Sequence, residues 1–174
     1  MILAIDVAYE DNDATVAGVL FPDWPDAKPT KEIVLSCTVP DSYLPGQFYR
    51  RELPCITALL KQVAQPVDFI IIDGFVYLGR NKKPGLGKHL RDILEQKIVV
   101  IGVAKNPYRD TSVSCEVLRG RSLKPLYVTA DGISLERAKF LVTIMHGKGR
   151  IPTMLRYVDR LCRKKKGFLN VPTL

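Results

Sequence analysis

Apolar and polar residues are arranged along the first forty positions in a pattern that predicts an antiparallel meander of three strands. Ile2 to Ala8 is apolar except at Asp6, and Ala14 to Phe21 is a second apolar stretch. The polar residues Glu10 to Asp13 between them are typical of a hairpin turn. Glu32 to Val39 supplies the third predicted strand.

The middle of the chain predicts alternating helices and buried strands. Apolar residues recur at helical spacing within Gly46 to Ala64, which predicts a helix. Phe69 to Ile72 is a short, continuous, β-branched run that is typical of a fully buried strand. A helix over His89 to Gln96 and a second buried strand, Ile98 to Val103, follow. Because a strand, helix, strand order calls for parallel pairing, we expect these two strands to be parallel.

The last third of the chain predicts one more strand and two capped helices. Leu126 to Thr129 is the short strand, Ser134 can cap a helix that runs to about His146, and Thr153 can cap a last helix through Arg163. The predicted fold class is therefore α/β, with an antiparallel three-strand meander followed by parallel strands in one mixed sheet flanked by helices. At 174 residues we expect a single domain that spans the whole chain.

The composition excludes several classes of protein. Hydrophobic residues make up 47% and charged residues 25%, which is typical of a globular protein and not of a disordered or fibrous one. No window approaches the roughly 20 apolar residues needed to cross a bilayer. The first residues lack the basic region of a secretory signal, so we expect a cytoplasmic location. Four scattered cysteines without a CxxC pair predict neither a disulfide framework nor a zinc site.

The chain carries an excess of positive charge. Its net charge is +8 and its pI is near 9.4. Lys and Arg that neutralise phosphates release counterions, so this charge favours a nucleic-acid partner, although solubility alone explains it equally well. A basic run at the end of the last predicted helix, Arg160 with Arg163 to Lys166, has the same two interpretations: a helix end favoured by the dipole, or a phosphate contact.

Two aspartates stand in strands that should be apolar. Asp6 interrupts the first strand, and Asp73, followed by Gly74, ends the most hydrophobic run of the chain. A buried carboxylate is costly without a partner or a cation. Hard divalent cations such as Mg²⁺ prefer oxygen ligands. Either aspartate alone is as compatible with a turn cap or an arginine pair as with metal ligation, but the pair favours a shared metal site.

Two other charged residues become candidates for the same site only when they are considered together with these aspartates. Glu52 lies in the first turns of the predicted helix, where an acid is ordinarily favoured by the helix dipole. Lys105 closes the strand over Ile98 to Ala104, where a cation could face the same sheet edge and contact a phosphate. Lysines commonly end strands at the surface, so Lys105 alone is weak evidence for a site.

Five short segments, taken in order and with their spacing, resemble the endonuclease V family. They are IDVAY at 5–9, SYLPGQFYRRELP at 42–54, IIDG at 71–74, GVAK at 102–105 and GRIP at 149–152. Each segment is short, but together they span nearly the whole chain. The Tyr-Leu-Pro-Gly stretch with Arg51, Glu52 and Pro54 is the most specific of them.

The resemblance implies a ribonuclease H-like fold and an endonuclease that cuts DNA or RNA near a deaminated base, typically hypoxanthine, with Mg²⁺ or Mn²⁺. The metal ligands that it implies are Asp6, Glu52 and Asp73, and Lys105 would contact phosphate near the scissile bond. The segment from Ser42 to Pro45 would match the family's wedge, which separates the strands while the base is flipped into a pocket. The implied nucleic-acid contacts besides Lys105 are Tyr43, Leu44, Pro45, Gly46, Gly74 and Arg150.

The sequence departs from the family pattern at two places. After Asp73 and Gly74 the family has a glycine-rich stretch with a histidine, whereas this chain reads GFVYLGRNKKPGLGKHL, in which His89 matches a second family histidine. Near the last strand the family carries a Gly-His pair that helps to organise the metal site, whereas this chain has Asp131 before Gly132. Because a carboxylate also suits magnesium, we expect Asp131 to be a fourth metal ligand. The altered loop leaves the preference for hypoxanthine open.

Three functional hypotheses follow. The first is a magnesium- or manganese-dependent endonuclease, acting as a monomer on DNA or RNA and without a membrane partner. The second is a relative with altered catalysis that only binds nucleic acid, which the missing histidines favour. The third is a small α/β enzyme of unrelated chemistry whose acids are structural. The first requires Asp6, Glu52 and Asp73 to converge in space.

Overall fold

The computed structural model describes residues 1–10, 13–38, 49–94 and 98–164, which form strands and helices in mixed order. The strands are β1 Ile2–Glu10, β2 Asp13–Phe21, β3 Lys31–Thr38, β4 Phe69–Asp73, β5 Tyr77–Leu78, β6 Lys83–Pro84, β7 Val99–Ala104, β8 Glu116–Val117 and β9 Leu126–Asp131. The helices are α1 Tyr49–Leu60, α2 Leu86–Ile93, α3 Leu135–Ile144 and α4 Thr153–Arg163, with a short 3-10 helix at Val113–Cys115. Among the described residues, no helix has the length and apolar character needed to cross a membrane.

Seven strands form one mixed sheet in the order β3-β2-β1-β4-β7-β9-β8. β1, β2 and β3 pair antiparallel, which confirms the predicted meander. β4 lies parallel to both β1 and β7, so the predicted parallel pairing is also confirmed. β9 runs antiparallel to β7, and β8 pairs with β9 at the sheet edge. The predicted α/β class with a ribonuclease H-like mixed sheet is thereby confirmed.

Helices cover both faces of the sheet, and successive strand residues divide between the two cores. In β1, Ile2 and Ala4 belong to the core that contains residues of α3 and α4. Leu3 and Ile5 belong to the other core, which contains residues of α1 and α2. This alternation follows from the two-residue period of a β-strand. It explains why the central strands are apolar almost throughout, and it makes a charged residue in them conspicuous.

Some boundaries differ from the prediction. α2 begins at Leu86, three residues before His89. Gly85 occupies its N-cap, and Gly87 lies within its first turn. Ser134 caps α3 as predicted, since its side chain accepts a hydrogen bond from the Arg137 backbone amide at 3.2 Å. The predicted cap Thr153 is wrong: Pro152 holds the N-cap position of α4. The sequence pattern also missed the short strands β5, β6 and β8.

Two glycines allow the chain to turn closely at the carboxyl ends of β4 and β7. Gly74 follows Asp73 with φ of +142°, a conformation that side chains disfavour. A Cβ placed on Gly102 would lie 2.6 Å from the Gly74 carbonyl oxygen, 2.9 Å from the Val76 amide nitrogen and 2.9 Å from the Thr129 hydroxyl. The loop that leaves β4 therefore packs directly against the backbone of β7.

Candidate active site

Three of the predicted site residues share one edge and one face of the sheet. Asp6 follows Ile5, which pairs with Ile72 across the parallel β1 and β4 strands. Asp73 pairs with Val103 across β4 and β7. Because side chains alternate, Asp6, Asp73 and Lys105 point to the side of the sheet that α4 covers. The carboxyl ends of three adjacent parallel strands thus bring together residues from distant parts of the sequence.

An acid from α4 completes this group. Oxygen atoms of Asp6, Asp73 and Asp159 all lie within 4.8 Å of one another. The sequence analysis missed Asp159, because it sits among basic residues in a helix and resembles a surface acid paired with Arg163. A signal was present, however: positions 155, 158, 159 and 162 fall on one helical stripe that is otherwise apolar. An aspartate on such a stripe faces the sheet.

Lys105 supplies positive charge to the cluster. Its Nζ lies 2.7 Å from Asp73 Oδ2 and 3.6 Å from Asp159 Oδ1. Burial lowers the pKa of Lys105, but the hydrogen bond and the charge of Asp73 outweigh burial, so the pKa is raised above its ordinary value. Burial also raises the pKa of Asp159, and Arg163 and Lys105 reverse this, so that its pKa is lowered. Asp159 is therefore ionised near neutral pH.

Asp6 is the least compensated member of the cluster. It is only 9% exposed, and its Oδ1 accepts a hydrogen bond from the Val7 amide at 2.8 Å. Its Oδ2 is buried and has no hydrogen-bond partner in the described part of the chain. Burial and, secondarily, the charge of Asp73 raise the pKa of Asp6 to about 7. A buried oxygen of this kind is costly unless a cation or a proton satisfies it.

Glu52 approaches the same site from α1, on the other side of the sheet edge. It is 7% exposed. Burial raises its pKa to about 8, with smaller contributions from the charges of Asp6 and Asp73. These contributions place Glu52 in the electrostatic field of the cluster, although it is not one of the three acids in mutual contact. Glu52 therefore lies near Asp6 and Asp73, but outside the group that these two form with Asp159.

The donors at this site fit a divalent cation. Every candidate ligand offers carboxylate oxygens, which hard cations such as Mg²⁺ and Mn²⁺ prefer. The buried, unsatisfied oxygen of Asp6 and the pKa values of Asp6 and Glu52, which burial and then neighbouring acids raise, show that the described residues do not stabilise the charged form of these two carboxyls. A small cavity of about 20 Å³ lies beside Asp6, Asp73 and Lys105, and Leu155 and Val158 form part of its apolar wall.

The structure does not bring Asp131, the expected fourth ligand, to the cluster. Because β9 runs antiparallel to β7, Asp131 pairs with Val100, three positions before Val103 along β7. Asp131 also shares the face of Val100, which is that of α2. There Arg91 lies 2.6 Å from Asp131 and Lys88 lies 4.0 Å from it. Asp159 occupies the position at the cluster that we had expected Asp131 to hold.

The other predicted nucleic-acid contacts have different outcomes. A Cβ on Gly74 would meet no atom of the described residues within 4 Å, so among these residues there is open space beside Asp73. The guanidinium of Arg150 is bonded to the backbone carbonyls of Lys105 and Pro125. Tyr43, Leu44, Pro45 and Gly46 lie outside the described residues, as do Lys165 and Lys166 of the basic run.

Comparison with known proteins decides between the hypotheses. The family model for Endonuclease V matches residues 1–116 of this chain, which is more than half of its length. This chain belongs to the endonuclease V family. The assignment excludes the hypothesis of an unrelated α/β enzyme with structural acids. It also makes endonuclease the functional class of the protein.

Individual relatives agree with this assignment over most of the chain. Endonuclease V of Streptomyces avermitilis is 28% identical over 184 residues, which cover 94% of this chain and 79% of that protein. Endonuclease V of Ignicoccus hospitalis is 28% identical over 182 residues, with 97% and 83% covered. The crystal structure of the Streptomyces avermitilis protein superposes with a TM-score of 0.73 at 27% identity, covering 93% of this chain and 79% of that chain.

A more distant structure shares the fold of this endonuclease V. Endonuclease V of Ciona intestinalis superposes with a TM-score of 0.77 at 20% identity, covering 93% of this chain and 84% of that chain. That protein was crystallised with a 24mer DNA that contains an inosine followed by a ribo-adenosine.

Proposed function

We propose that this endonuclease V family member is a magnesium- or manganese-dependent endonuclease that cuts a phosphodiester near inosine. The observation that carries the proposal is the convergence of Asp6, Asp73 and Asp159 within 4.8 Å, with a buried oxygen of Asp6 left unsatisfied. Such a group is unstable as an anionic cluster in isolation, and it suits a cation that also binds a phosphate.

The acids would hold the cation, with Glu52 contributing from α1. A divalent cation bound there would neutralise charge on the phosphate in the transition state and make an attacking water more acidic. Glu52 and Asp6 must lose protons before they can serve as ligands, because burial raises the pKa of each carboxyl to about 8 and about 7. Asp6 and Glu52 would thus be protonated in the absence of a cation and ionised when one is bound.

Lys105 is the residue best placed to contact the substrate phosphate. Its ammonium lies 2.7 Å from Asp73, at the rim of the cluster, and its side chain is 38% exposed. An ammonium there attracts the phosphate of the scissile bond and stabilises the charge that develops on its oxygens. Leu155 and Val158 supply an apolar wall to the small cavity beside Asp6 and Asp73. The reacting phosphate therefore meets strong charges in a region of low polarity.

The proposed substrate is a strand with a deaminated base, and two observations support it. The related Ciona intestinalis protein was crystallised with inosine-containing DNA. In the present chain, the space around Gly74 is open and lies next to Asp73, where a base turned out of the stack could approach the cut site. Phe75 and Tyr108 flank this region, with ring centroids 6.4 Å apart in an edge-to-face arrangement.

Single-turnover cleavage of matched strands tests the proposal. DNA and RNA oligonucleotides, single- and double-stranded and each with or without one inosine, are incubated with Mg²⁺, Mn²⁺ or EDTA. We expect cleavage only of inosine-containing strands and only with metal. Asp6→Asn is expected to abolish cleavage and retain binding, whereas Asp92→Asn, an exposed acid on α2, should cleave normally. Wild-type protein that binds these strands but cuts none of them with either metal would favour the binding relative instead.

A further inference from the structure

From the geometry we infer that Arg150 is a positioning residue that holds Lys105 in the active site, and that Arg119 holds the loop that carries Arg150. The inference rests on the proposed function, because it assigns a role to Lys105 during phosphodiester cleavage. It replaces the sequence-based expectation that Arg150 contacts nucleic acid directly.

Arg150 joins the ends of two neighbouring strands. Its Nε and Nη2 donate to the Pro125 carbonyl at 3.3 and 2.7 Å, and Nη2 also donates to the Lys105 carbonyl. Pro125 immediately precedes β9, and Lys105 immediately follows β7. The pairing of β7 with β9 ends at Ala104 and Tyr127, so Lys105 lies just beyond the sheet ladder. Arg150 therefore anchors the backbone of Lys105 where the sheet no longer does.

Arg119 in turn organises the loop between α3 and α4. It is only 5% exposed, and its guanidinium donates to the backbone carbonyls of Thr143, Met145, Gly147, Gly149 and Arg150. Five carbonyl acceptors around one guanidinium fix the course of the chain, because a guanidinium presents its donors in one rigid plane. The bonds from Arg119 therefore also fix the backbone position of Arg150.

The two arginines and the lysine form a continuous series of contacts. Arg119 fixes the backbone at Arg150, the guanidinium of Arg150 fixes the backbone at Lys105, and the Lys105 ammonium meets Asp73 and Asp159. Two donor nitrogens of Arg150 are committed to carbonyls, which leaves its guanidinium poorly suited to bind a phosphate with two parallel bonds. A displacement of about 1 Å at a reacting group can reduce a rate about 100-fold, so the hold on Lys105 matters for catalysis.

A double-mutant cycle tests whether Arg150 acts through Lys105. We expect Arg150→Met to lower kcat by roughly 10- to 100-fold with KM nearly unchanged. In a Lys105→Met background the same substitution should lower kcat by less than about twofold, because the side chain that Arg150 positions is already absent. Arg150→Lys, which keeps one donor group, should recover part of the rate. Arg137→Met is the matched control, since Arg137 is exposed on α3 and its guanidinium lies over the Phe140 ring.

The opposite pattern would overturn the inference. If Arg150 touched nucleic acid, Arg150→Met would weaken equilibrium binding without metal. It would also reduce the salt dependence of binding by about one phosphate contact, and it would lower affinity by the same factor with or without Lys105.

Chemical labelling of Lys105 gives a second test that does not require activity. The protein in EDTA is acetylated with acetic anhydride, and the modification of Lys105 over time is followed by mass spectrometry of its peptide. In the wild type the contacts with Asp73 and Asp159 should slow the reaction. Arg150→Met should accelerate it several-fold, whereas Arg137→Met should not. An unchanged rate in Arg150→Met refutes the positioning role. Wild-type protein with the expected labelling but no cleavage refutes only the proposed function.

Discussion

Asp131 with its two cations and the cluster of Asp6, Asp73 and Asp159 form two charged groups on opposite faces of the sheet, and they differ in how their charge is balanced. Asp131 has Arg91 at 2.6 Å and Lys88 at 4.0 Å, so one carboxylate faces two cations. In the other group, Lys105 contacts Asp73 and Asp159, Arg163 is bonded to Asp159 at the rim, and Asp6 and Glu52 add two further acids nearby. Only the second group contains a carboxyl with a strongly raised pKa among the described residues.

The comparison teaches that unbalanced charge, and not acidity alone, marks the active site. A matched ion pair needs nothing from outside the protein, so Asp131 stabilises the junction between β9 and α2. A cluster with more acids than cations is satisfied only by protons or by a bound cation.

Removing one acid from each group should separate their roles most clearly. We expect Asp73→Asn to lower single-turnover cleavage by at least about 1000-fold, equivalent to about 4 kcal/mol, because it removes a ligand charge at the reacting phosphate. Asp131→Asn should change the rate by less than about threefold. Rates are measured with saturating Mn²⁺ on an inosine-containing strand. Similar losses in both variants would contradict the distinction drawn here.

Arg119 is a third case, a buried cation whose partners among the described residues are backbone carbonyl groups. Arg119→Met should lower the free energy of unfolding by roughly 3 kcal/mol, because several buried carbonyls would lose their donor. Urea denaturation monitored by circular dichroism measures the change. Arg121→Met, at an exposed position in the same turn, serves as the control and should have little effect. An Arg119→Met protein as stable as the control would mean that the loop satisfies these carbonyls in another way.

The unbalanced group should also make stability depend on pH. Because the pKa values of Asp6 and Glu52 are raised to about 7 and about 8, the folded state binds more protons than the unfolded state between about pH 4 and pH 8. The free energy of unfolding in EDTA should therefore fall as pH rises through this range. Metal should restore stability most strongly at the alkaline end.

Glu52→Gln is the variant that sharpens this test. It removes one titrating carboxyl, so the decline in stability with pH should become shallower. Urea midpoints between pH 5.5 and pH 8.5 provide the measurement. A steep slope that persists in Glu52→Gln would assign the pH dependence to other groups.

The smallest expected effect concerns the matched pair itself. Asp131→Asn should cost roughly 0.5–1 kcal/mol of stability, since its ion pair with Arg91 is partly exposed and screened by solvent. Thermal unfolding at low and high salt measures it, and the difference from wild type should shrink at high salt. A loss several times larger would indicate that Asp131 supports more of the fold than this one junction.

The sequence predicted site residues best where a charged residue interrupts an otherwise hydrophobic strand. Asp6 and Asp73 could be predicted because they interrupt strands that are otherwise apolar on both faces. Asp159 could not be found in this way, since helices commonly carry acids paired with Arg four residues later. The apolar stripe of α4 indicates that Asp159 faces the sheet, but which strands it reaches depends on how α4 crosses the sheet, and local pattern does not encode that crossing.

Asp131 was misplaced for a related reason. The apolar run of β9 predicted a strand but not its direction, and direction decides which sheet edge its last residue reaches. The family resemblance supplied the identity of the site, but it did not supply this geometry. The predictions for Tyr43, Leu44, Pro45 and Gly46 stay predictions, because these residues lie outside the described part of the chain.

Gly102 shows how a residue without chemistry of its own can constrain an active site. The loop after Asp73 rests on its bare backbone, within 2.6 Å of where a methyl group would stand. Alanine at this position would push the loop from Gly74 to Val76 away from β7, directly after the carboxylate of Asp73. Mutational scanning should therefore find this buried, uncharged position about as intolerant of replacement as the acids that it helps to space.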